Sequence, residues 1–520
     1  MRVNLSELVA EAARDVPHEV ALVELRPDRR EVTWAELDEK ATAVARGLLG
    51  RGLVAGARVA LVMANRVDLP IAYFGILRGG MVAVPVNPRS TAPEIARMLA
   101  DSGARVVLCD DHGVAQLREA LASGDHDVEV VVDGAPAEAG ETSFDDFLAA
   151  APGTAPAAPR DPEATAVILY TSGTSGRPRG AMLSHRALLA NIEQTAAIEP
   201  PPLTSDDVAL GLLPMFHVYG LNAVLGQAVR QRARTVLVER FDPAGLLELV
   251  RAEGITNLAL APPVVAAWAG RPELREALTG VRTVLSGAST LDPELAREFQ
   301  ESSGHAVEQG YGFTEAAPVV TATLASERSA GTTVVPSVGS PLPGVELRVL
   351  DADGRPSQDP AQIWVRGDNL FSGYWPDRAD GPGPDGWYAT GDVGYLTDGG
   401  ELVLVDRLRE LVIVSGFNVY PAEVEAVLAD VDGVEQTAVV GVPDEETGEA
   451  VLAFVVPTQG ADPATVEQAV HDAAARNLAR FKRPTRVVVV ADLPHSPTGK
   501  VAKGRLRALA RRDVLGLGPE

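Results

Sequence analysis

Helical and strand signals alternate along the first part of this chain. Apolar runs of strand length at residues 59–63 and 81–86 flank a helical pattern at residues 70–77. Before them, Thr33 with Glu36 forms a capping box that opens an amphipathic helix. Because parallel strands need a crossover connection, this alternation predicts right-handed βαβ units and a largely parallel sheet.

The pattern changes further along the chain and divides it into regions. After a linker rich in Ala, Pro and Gly at residues 149–162, the alternation resumes and continues to about residue 324. Beyond residue 341 the signals are mainly those of strands, which predicts a small β-barrel. From residue 420 onward, mixed signals predict a compact α+β unit. The predicted fold class is therefore α/β, with a large multi-subdomain N-terminal part and a small C-terminal α+β domain.

A loop at residues 170–180, with the sequence YTSGTSGRPRG, follows an apolar strand pattern at 166–169. Its glycines let successive backbone N–H groups point at one anion, and hydroxyls and two arginines add donors and positive charge. The loop lacks the Gly-Lys of a P-loop. It is therefore predicted to bind phosphate in another way, and the alternative is a flexible surface turn. Its candidate contacts are Thr171, Ser172, Gly173, Thr174, Ser175, Gly176 and Arg179.

Composition excludes several classes of protein. The 520 residues carry a net charge of −25, which argues against nucleic acid as the main partner. No run approaches the roughly 18 apolar residues of a membrane span, and the N-terminus lacks the apolar core of a signal peptide. The single cysteine, Cys109, lies in a strand pattern and is predicted to be a buried, reduced thiol. A cytoplasmic protein is expected.

Positive charge is concentrated near the C-terminus. Residues 481–512 hold nine Lys or Arg against one acid, Asp492. A solvated helix face would explain part of this cluster, and a site for a polyanionic small molecule would also explain it.

Four further segments have compositions that are unusual for a structural core. They are residues 309–315 (QGYGFTE), Thr390-Gly391-Asp392, residues 406–421 (DRLRELVIVSGFNVYP) and residues 496–500 (SPTGK). Each is a weak signal alone, and their joint occurrence in this order is specific.

Together with the loop at 170–180, these segments resemble the adenylate-forming superfamily of acyl-CoA synthetases, firefly luciferases and nonribosomal-peptide adenylation domains. The resemblance covers nearly the whole chain. It implies that a carboxylate is coupled to ATP, that pyrophosphate leaves, and that the acyl group passes from AMP to a thiol. It also implies an adenylation domain at residues 1–408 and a mobile C-terminal domain at 409–520.

The resemblance assigns roles around the nucleotide. The loop at 170–180 would hold the β and γ phosphates, Thr314 the α-phosphate, and Glu315 a Mg²⁺ ion, a hard cation that prefers oxygen ligands. An ordinary surface carboxylate is the alternative for Glu315. For Asp392 and Arg407, which would contact the ribose, structural salt bridges are the alternatives. The remaining implied contacts are Tyr311 stacking on adenine beside Gly312, the backbone of Gly287, Ala288 and Ser289 on the other side of the base, and Asp392 with Arg407 on the ribose.

The C-terminal domain would serve both half-reactions. Lys500 matches the lysine that bridges the carboxylate and the α-phosphate as charge develops in the adenylation step. Rotation near Arg409 would then withdraw this lysine. It would bring Ser415, Gly416 and Phe417 to the entering pantetheine arm of CoA, where the basic cluster at 481–512 could hold the CoA phosphates.

The acid-binding pocket is assigned to residues 214–222 (PMFHVYGLN). His217 matches a position beside the substrate carboxylate, and a hydrogen-bonded core histidine is the alternative. No aspartate that could pair with an α-amine occurs between residues 214 and 229, which argues against an amino acid substrate. Small and apolar neighbours suit an uncharged tail, although Arg230 leaves a dicarboxylate open.

The sequence therefore predicts an AMP-forming acyl-CoA synthetase for a medium- or long-chain fatty acid or a similarly apolar acid. ATP, Mg²⁺ and CoA are its expected cofactor and co-substrates. Three alternatives remain: an acyl-AMP ligase that loads a carrier protein, a nucleotide-binding relative without catalysis, and a luciferase-like oxygenase. The main departure from the family pattern is Arg179, which stands where lysine is usual and whose planar guanidinium does not superimpose on an ammonium.

Overall fold

The described part of the chain comes from a computed structural model. It comprises residues 2–25, 28–122, 127–150, 161–172, 178–287, 291, 293–326, 337–351, 353–358, 361–407, 412–419, 421–494, 501, 503, 506–507 and 509–510. Only the backbone is described for residues 172, 405–407, 418 and 422.

Two compact units account for the described residues. The first contains those of 1–170 and 180–406, and the second contains those of 171–179 and 407–520. The domain boundary expected between residues 408 and 409 stays a prediction. Among the described residues, no helix combines the length and the apolar character needed to cross a membrane.

The strands are numbered in chain order. They are β1 Val20–Glu24, β2 Arg30–Thr33, β3 Arg58–Val62, β4 Val82–Pro85, β5 Val106–Asp110, β6 Glu129–Asp133, β7 Thr142–Ser143, β8 Thr165–Ser172, β9 Pro178–Ser184, β10 Val208–Gly211, β11 Arg234–Leu237, β12 Asn257–Leu260, β13 Thr283–Ser286, β14 Glu308–Gly312, β15 Val319–Ala322, β16 Ser340–Pro341, β17 Glu346–Leu350, β18 Ala361–Arg366, β19 Tyr388–Leu396, β20 Leu402–Arg407, β21 Val412–Val414, β22 Phe417–Val419, β23 Val434–Asp444, β24 Gly448–Pro457 and β25 Arg486–Val489.

The helices follow the same convention. They are α1 Glu7–Asp15, α2 Trp34–Gly50, α3 Asp68–Arg78, α4 Ala92–Ser102, α5 Val114–Ala122, α6 Phe144–Ala149, α7 His185–Ala196, α8 Gln227–Gln231, α9 Pro243–Ala252, α10 Pro262–Trp268, α11 Leu274–Ala277, α12 Pro293–Ser303, α13 Pro421–Ala429 and α14 Pro463–Asn477. A π-helix spans Tyr219–Gly226, and 3₁₀ turns span Thr314–Ala316, Thr323–Ala325 and Arg480–Lys482.

A seven-stranded sheet in the order β7-β6-β5-β3-β4-β8-β9 confirms the parallel sheet expected for the N-terminal region. The pairs from β7 through to β8 are parallel. Helix α2 begins at the expected capping box, in which the Thr33 side chain accepts from the Glu36 backbone N–H while the Glu36 carboxylate accepts from Thr33. The Cys109 thiol lies in β5, is buried, and has a raised pKa because burial disfavours the thiolate.

A nine-stranded sheet has the order β16-β15-β14-β13-β12-β10-β11-β1-β2. Its central pairs are parallel, whereas β1–β2, β14–β15 and β15–β16 are antiparallel. The N-terminal pair β1–β2 escapes sequence prediction, because β1 joins this sheet beside the distant strand β11, a pairing that no local pattern encodes. A hydrophobic cluster centred on Trp268 and Phe299, both fully buried, packs against the sheet.

The β-rich region after residue 341 forms a four-stranded sheet in the order β17-β18-β19-β20. In this sheet, β17 pairs with β18 and β18 pairs with β19, both antiparallel. The expected small barrel is therefore present as a half-barrel sheet.

In the second unit, β21 to β24 form an antiparallel sheet and β25 adds in parallel to β24. Helices α13 and α14 pack against this sheet through a hydrophobic cluster that includes Val424, Leu428, Val466 and Val470. This is the small α+β domain that the sequence predicts.

Candidate active site

The expected ribose-binding carboxylate, Asp392, lies in a bulge of β19. The register of β18 against β19 shifts between Gln362 and Trp364, and Gly391 has a φ of 78°. Thr390 Oγ1 stabilises the bulge by donating to the Ile363 carbonyl and accepting from the Asp392 N–H. Because bulges redirect side chains relative to a regular strand, this geometry explains why Thr-Gly-Asp occurs here.

The structure brings Asp392 together with Tyr311, the expected adenine-stacking residue on β14. Tyr311 Oη donates to Asp392 Oδ2 at 2.6 Å. Next to it, Gly312 is required sterically, since a Cβ there would lie 2.1 Å from the Pro318 carbonyl oxygen. Two residues that are 81 positions apart in the sequence thus form one hydrogen-bonded pair.

The expected magnesium ligand, Glu315, is buried in the 3₁₀ turn after β14, with an exposed fraction of 7%. The Tyr374 hydroxyl donates to Glu315 Oε1, and the Phe371 N–H donates to the Glu315 carbonyl. The pKa of Tyr374 is raised by burial and by the Glu315 charge, so the phenol stays protonated and remains a donor. Thr314, also buried, precedes Glu315 in the same turn.

A row of aromatic side chains connects these two pairs. Ring centroids are 5.7 Å apart for Tyr311–Phe313, 6.0 Å for Phe313–Tyr388, 5.2 Å for Tyr388–Phe371 and 5.0 Å for Phe371–Tyr374. Sequence reasoning missed Tyr374 and Phe371 altogether. The adjacent aromatics in FSGYW at 371–375 were the available signal, but nothing in the sequence relates them to Glu315.

The segment expected to bind the acid enters the π-helix Tyr219–Gly226, a helix type often found at functional sites. His217 precedes it, and its Nδ1 accepts from the Tyr219 N–H at 3.3 Å. Part of the His217 surface remains accessible, but the surrounding protein removes most of its solvation and lowers its pKa to about 4. At neutral pH this imidazole is uncharged.

The low pKa of His217 predicts the pH dependence of its contribution. With a pKa near 4, less than about 1% of the imidazole carries a proton at pH 6, so its charge does not change between about pH 6 and 8. We expect His217→Gln to slow adenylation about tenfold without altering the shape of the rate–pH curve in this range. An inflection near pH 6.5 that is present in wild type and lost in the variant would contradict this.

Gly287, at the end of β13, is buried against Tyr219. A Cβ at this position would lie 2.7 Å from a Tyr219 ring carbon, so only glycine allows this approach. The Tyr219 ring also packs against a small apolar cluster formed by Leu213, Val224, Ala259 and Ala261.

The expected phosphate loop is described only at its two ends. Thr171, the penultimate residue of β8, has an exposed fraction of 8%, and its Oγ1 donates to the Arg179 carbonyl at 3.4 Å. The other expected phosphate- and base-binding residues, Gly173, Thr174, Ser175, Gly176, Ala288 and Ser289, lie outside the described residues, as do Arg409 and Lys500. For Ser172 and Arg407 only the backbone is described, within β8 and β20.

In the second unit, the segment expected to meet pantetheine is a tight hairpin turn. Val414 pairs with Phe417, and the two loop residues between them, Ser415 and Gly416, have φ values of 51° and 81°. Positive φ at both central residues is the signature of a type I′ turn, in which glycine is favoured. Phe417 stacks on Phe481 with centroids 4.5 Å apart.

Two lysines of the basic cluster at 481–512 pair with acids of helix α13. Lys482 Nζ lies 2.8 Å from Glu423 Oε1, and Lys503 Nζ lies 2.8 Å from Glu425 Oε1. These lysines therefore contribute to packing within the second unit, which supports the structural interpretation for that part of the cluster.

Comparison with known proteins identifies the family of this chain. The model of the AMP-binding enzyme family matches residues 9–375, and the model of its C-terminal domain matches residues 423–500. The chain therefore belongs to the AMP-binding enzyme family, within the adenylate-forming superfamily, and is an AMP-forming ligase of the acyl-CoA synthetase type.

Individual relatives cover nearly the whole chain. 4-Coumarate–CoA ligase 5 from Oryza sativa subsp. japonica is 37% identical over 92% of this chain and 89% of its own. Among solved structures, an amide bond synthetase from Marinactinospora thermotolerans has a TM-score of 0.85 at 28% identity, covering 97% of this chain and 99% of that one. The o-succinylbenzoate CoA synthetase of Bacillus subtilis has a TM-score of 0.82 at 26% identity, covering 96% and 97%.

Proposed function

We propose that this protein uses ATP to activate a carboxylic acid with an apolar, uncharged tail. It releases pyrophosphate and then transfers the acyl group from acyl-AMP to CoA. The observation that carries the proposal is the Tyr311–Asp392 hydrogen bond. It joins the expected adenine and ribose contacts in one place, connected through aromatic rings to the buried carboxylate of Glu315.

This geometry supports the proposed nucleotide contacts. Asp392 Oδ2 already accepts one hydroxyl, that of Tyr311, and a carboxylate can accept further hydroxyl donors such as those of ribose. We propose that the Tyr311 ring, fixed by this hydrogen bond, provides the surface for adenine. Thr314, the hydroxyls and glycines of residues 171–176, and Arg179 would contact the phosphates, and Arg407 the ribose.

Glu315 fits a role as a magnesium ligand. Its carboxylate is a hard oxygen donor, as Mg²⁺ prefers, and the Tyr374 hydroxyl fixes its orientation. When bound, Mg²⁺ would neutralise charge on the triphosphate. The residues of the chain then hold the nucleotide, orient the acid and exclude water.

The class of acid is inferred from the surroundings of Tyr219. The Tyr219 ring, Leu213 and the small side chains of Ala259 and Ala261 offer an apolar surface. Several relatives that cover nearly the whole chain are named 4-coumarate–CoA ligases, so we place phenylpropenoic acids first and fatty acids second. Arg230 is the cation that could have paired with the second carboxylate of a dicarboxylic acid. It forms an ion pair with Glu193 at 2.8 Å, which weakens the case for a dicarboxylic acid substrate.

The test is a pyrophosphate-release screen with ATP and Mg²⁺. The panel contains cinnamic and hydroxycinnamic acids, benzoic acids, saturated fatty acids of graded length and a dicarboxylic acid, each with and without CoA. We expect at least a tenfold preference in kcat/KM for one apolar class, with acyl-CoA as the product. Asp392→Ala serves as the inactive control for contaminating ligases.

The same screen separates the alternative functions. Release that needs a carrier protein, and not CoA, would favour the carrier-loading ligase. Release followed by transfer to an amine would favour an activity like that named for the Marinactinospora relative. A wild type that releases no pyrophosphate with any acid would favour a relative without catalysis and contradict the proposal.

A further inference from the structure

Asn65 lies in the turn that follows β3, remote in sequence from every site residue named above. Its exposed fraction is 6%. This turn is held to β5 of the seven-stranded sheet, because the Ala64 N–H donates to the buried carboxylate of Asp110 at 2.7 Å. Asn65 is therefore held by the seven-stranded sheet.

The Asn65 carboxamide reaches across to the nine-stranded sheet. Its Nδ2 donates to the Gly211 carbonyl at 3.0 Å and to the Leu213 carbonyl at 2.9 Å, and its Oδ1 accepts from the Met215 N–H at 3.0 Å. Both ends of one side chain thus satisfy buried backbone groups of the segment that leaves β10.

The segment that Asn65 contacts, residues 211–215, leads directly into residues 214–222, which are expected to bind the acid. The His217 N–H donates to the Pro214 carbonyl at 3.1 Å, and the Leu221 N–H donates to the His217 carbonyl at 3.0 Å. A Cβ at Gly220 would lie 2.4 Å from the Pro214 carbonyl oxygen. The position of the Pro214 peptide therefore determines where His217 lies and where the π-helix begins.

Only a carboxamide satisfies this arrangement. A carboxylate at residue 65 would retain an acceptor for the Met215 N–H but lose both donor hydrogens, leaving two buried carbonyl oxygens facing a negative charge. The segment would then move away from the turn, and His217 would move with it.

We propose that Asn65 is a positioning residue for acid activation, which connects the two sheets and holds His217 in place. The inference rests on the proposed function, because it assumes that residues 214–222 bind the acid. It assigns to Asn65 a role in the acid step and not in nucleotide binding.

The test compares Asn65→Asp with the matched control Asn257→Asp. Asn257 is equally buried, with an exposed fraction of 7%, and its Nδ2 donates to the Pro202 carbonyl at 2.8 Å. Acid-dependent pyrophosphate release is measured with the best acid of the panel. We expect Asn65→Asp to lower kcat/KM for the acid about 10- to 100-fold, with the KM for ATP within about twofold of wild type. The control should lower Tm comparably without changing either constant.

Gly220→Ala provides an independent variant that leaves Asn65 in place. Its new methyl group would displace the same Pro214 carbonyl, so we expect the same loss in kcat/KM for the acid, including when Asn65→Asp fails to fold. Unchanged acid kinetics in either folded variant, or an equal loss in the Asn257 control, would overturn the inference. A wild type inactive with every acid would instead contradict the proposed function.

Discussion

Replacing Lys500 by alanine is expected to abolish adenylation while sparing thioester formation. The lysine ammonium is the group expected between the acid carboxylate and the α-phosphate, where negative charge develops in the transition state. Loss of such a group should slow acid-dependent pyrophosphate release about 1000-fold. Transfer from preformed acyl-AMP to CoA, measured as thioester formation, should stay within about threefold of wild type.

Lys503→Ala is the matched control, because it removes a nearby cation of the same domain. Lys503 forms an ion pair with Glu425 at 2.8 Å, and this pairing places its ammonium in the packing of the second unit. Both half-reactions should therefore persist in this variant. Equal loss of both half-reactions in Lys500→Ala would show that the lysine supports the fold or CoA binding, not adenylation.

Much of the fold follows from local patterns in the sequence. The capping box at Thr33 begins helix α2 as expected, and the strand signals beyond residue 341 correspond to a four-stranded sheet. These signals are local, since caps and hydrophobic periodicity depend on a few neighbouring residues. The hairpin β1–β2 was missed because β1 is added to the distant strand β11, a pairing that no local pattern encodes.

In the candidate site, too, some residues could be found from the sequence and others could not. Motif residues such as Asp392 and Glu315 could be proposed as site residues from the sequence, because the motifs around them occur in a recognisable order along the chain. The residues that hold the site in place could not be found in this way. Tyr374 contacts Glu315 across 59 positions, and Asn65 contacts Met215 across 150. Such contacts are set by how β-sheets and loops meet in three dimensions, so the sequence shows only an ordinary tyrosine or asparagine.

The environment of Glu315 makes its charge, more than its shape, the property to test. Glutamine has the same size and would still accept the Tyr374 hydroxyl, so the turn at Thr314–Ala316 should persist. What Glu315→Gln removes is the negative charge in a buried position, where attraction for a cation is stronger than in water.

We therefore expect Glu315→Gln to lower the adenylation rate about 100-fold and to raise the Mg²⁺ concentration for half-maximal rate at least about tenfold. Tyr374→Phe, which frees the carboxylate to rotate, should change the Mg²⁺ dependence in the same direction by about tenfold, since it removes one hydrogen bond to a charged group.

Glu308→Gln is the control. Glu308 lies at the other end of β14, where its carboxylate accepts from Thr323 Oγ1, so this variant should leave the Mg²⁺ dependence unchanged. Titration of the pyrophosphate-release rate with MgCl₂ at fixed ATP measures all three. A Glu315→Gln enzyme with wild-type Mg²⁺ dependence would show that this carboxylate only supports the turn, and that the metal is held elsewhere.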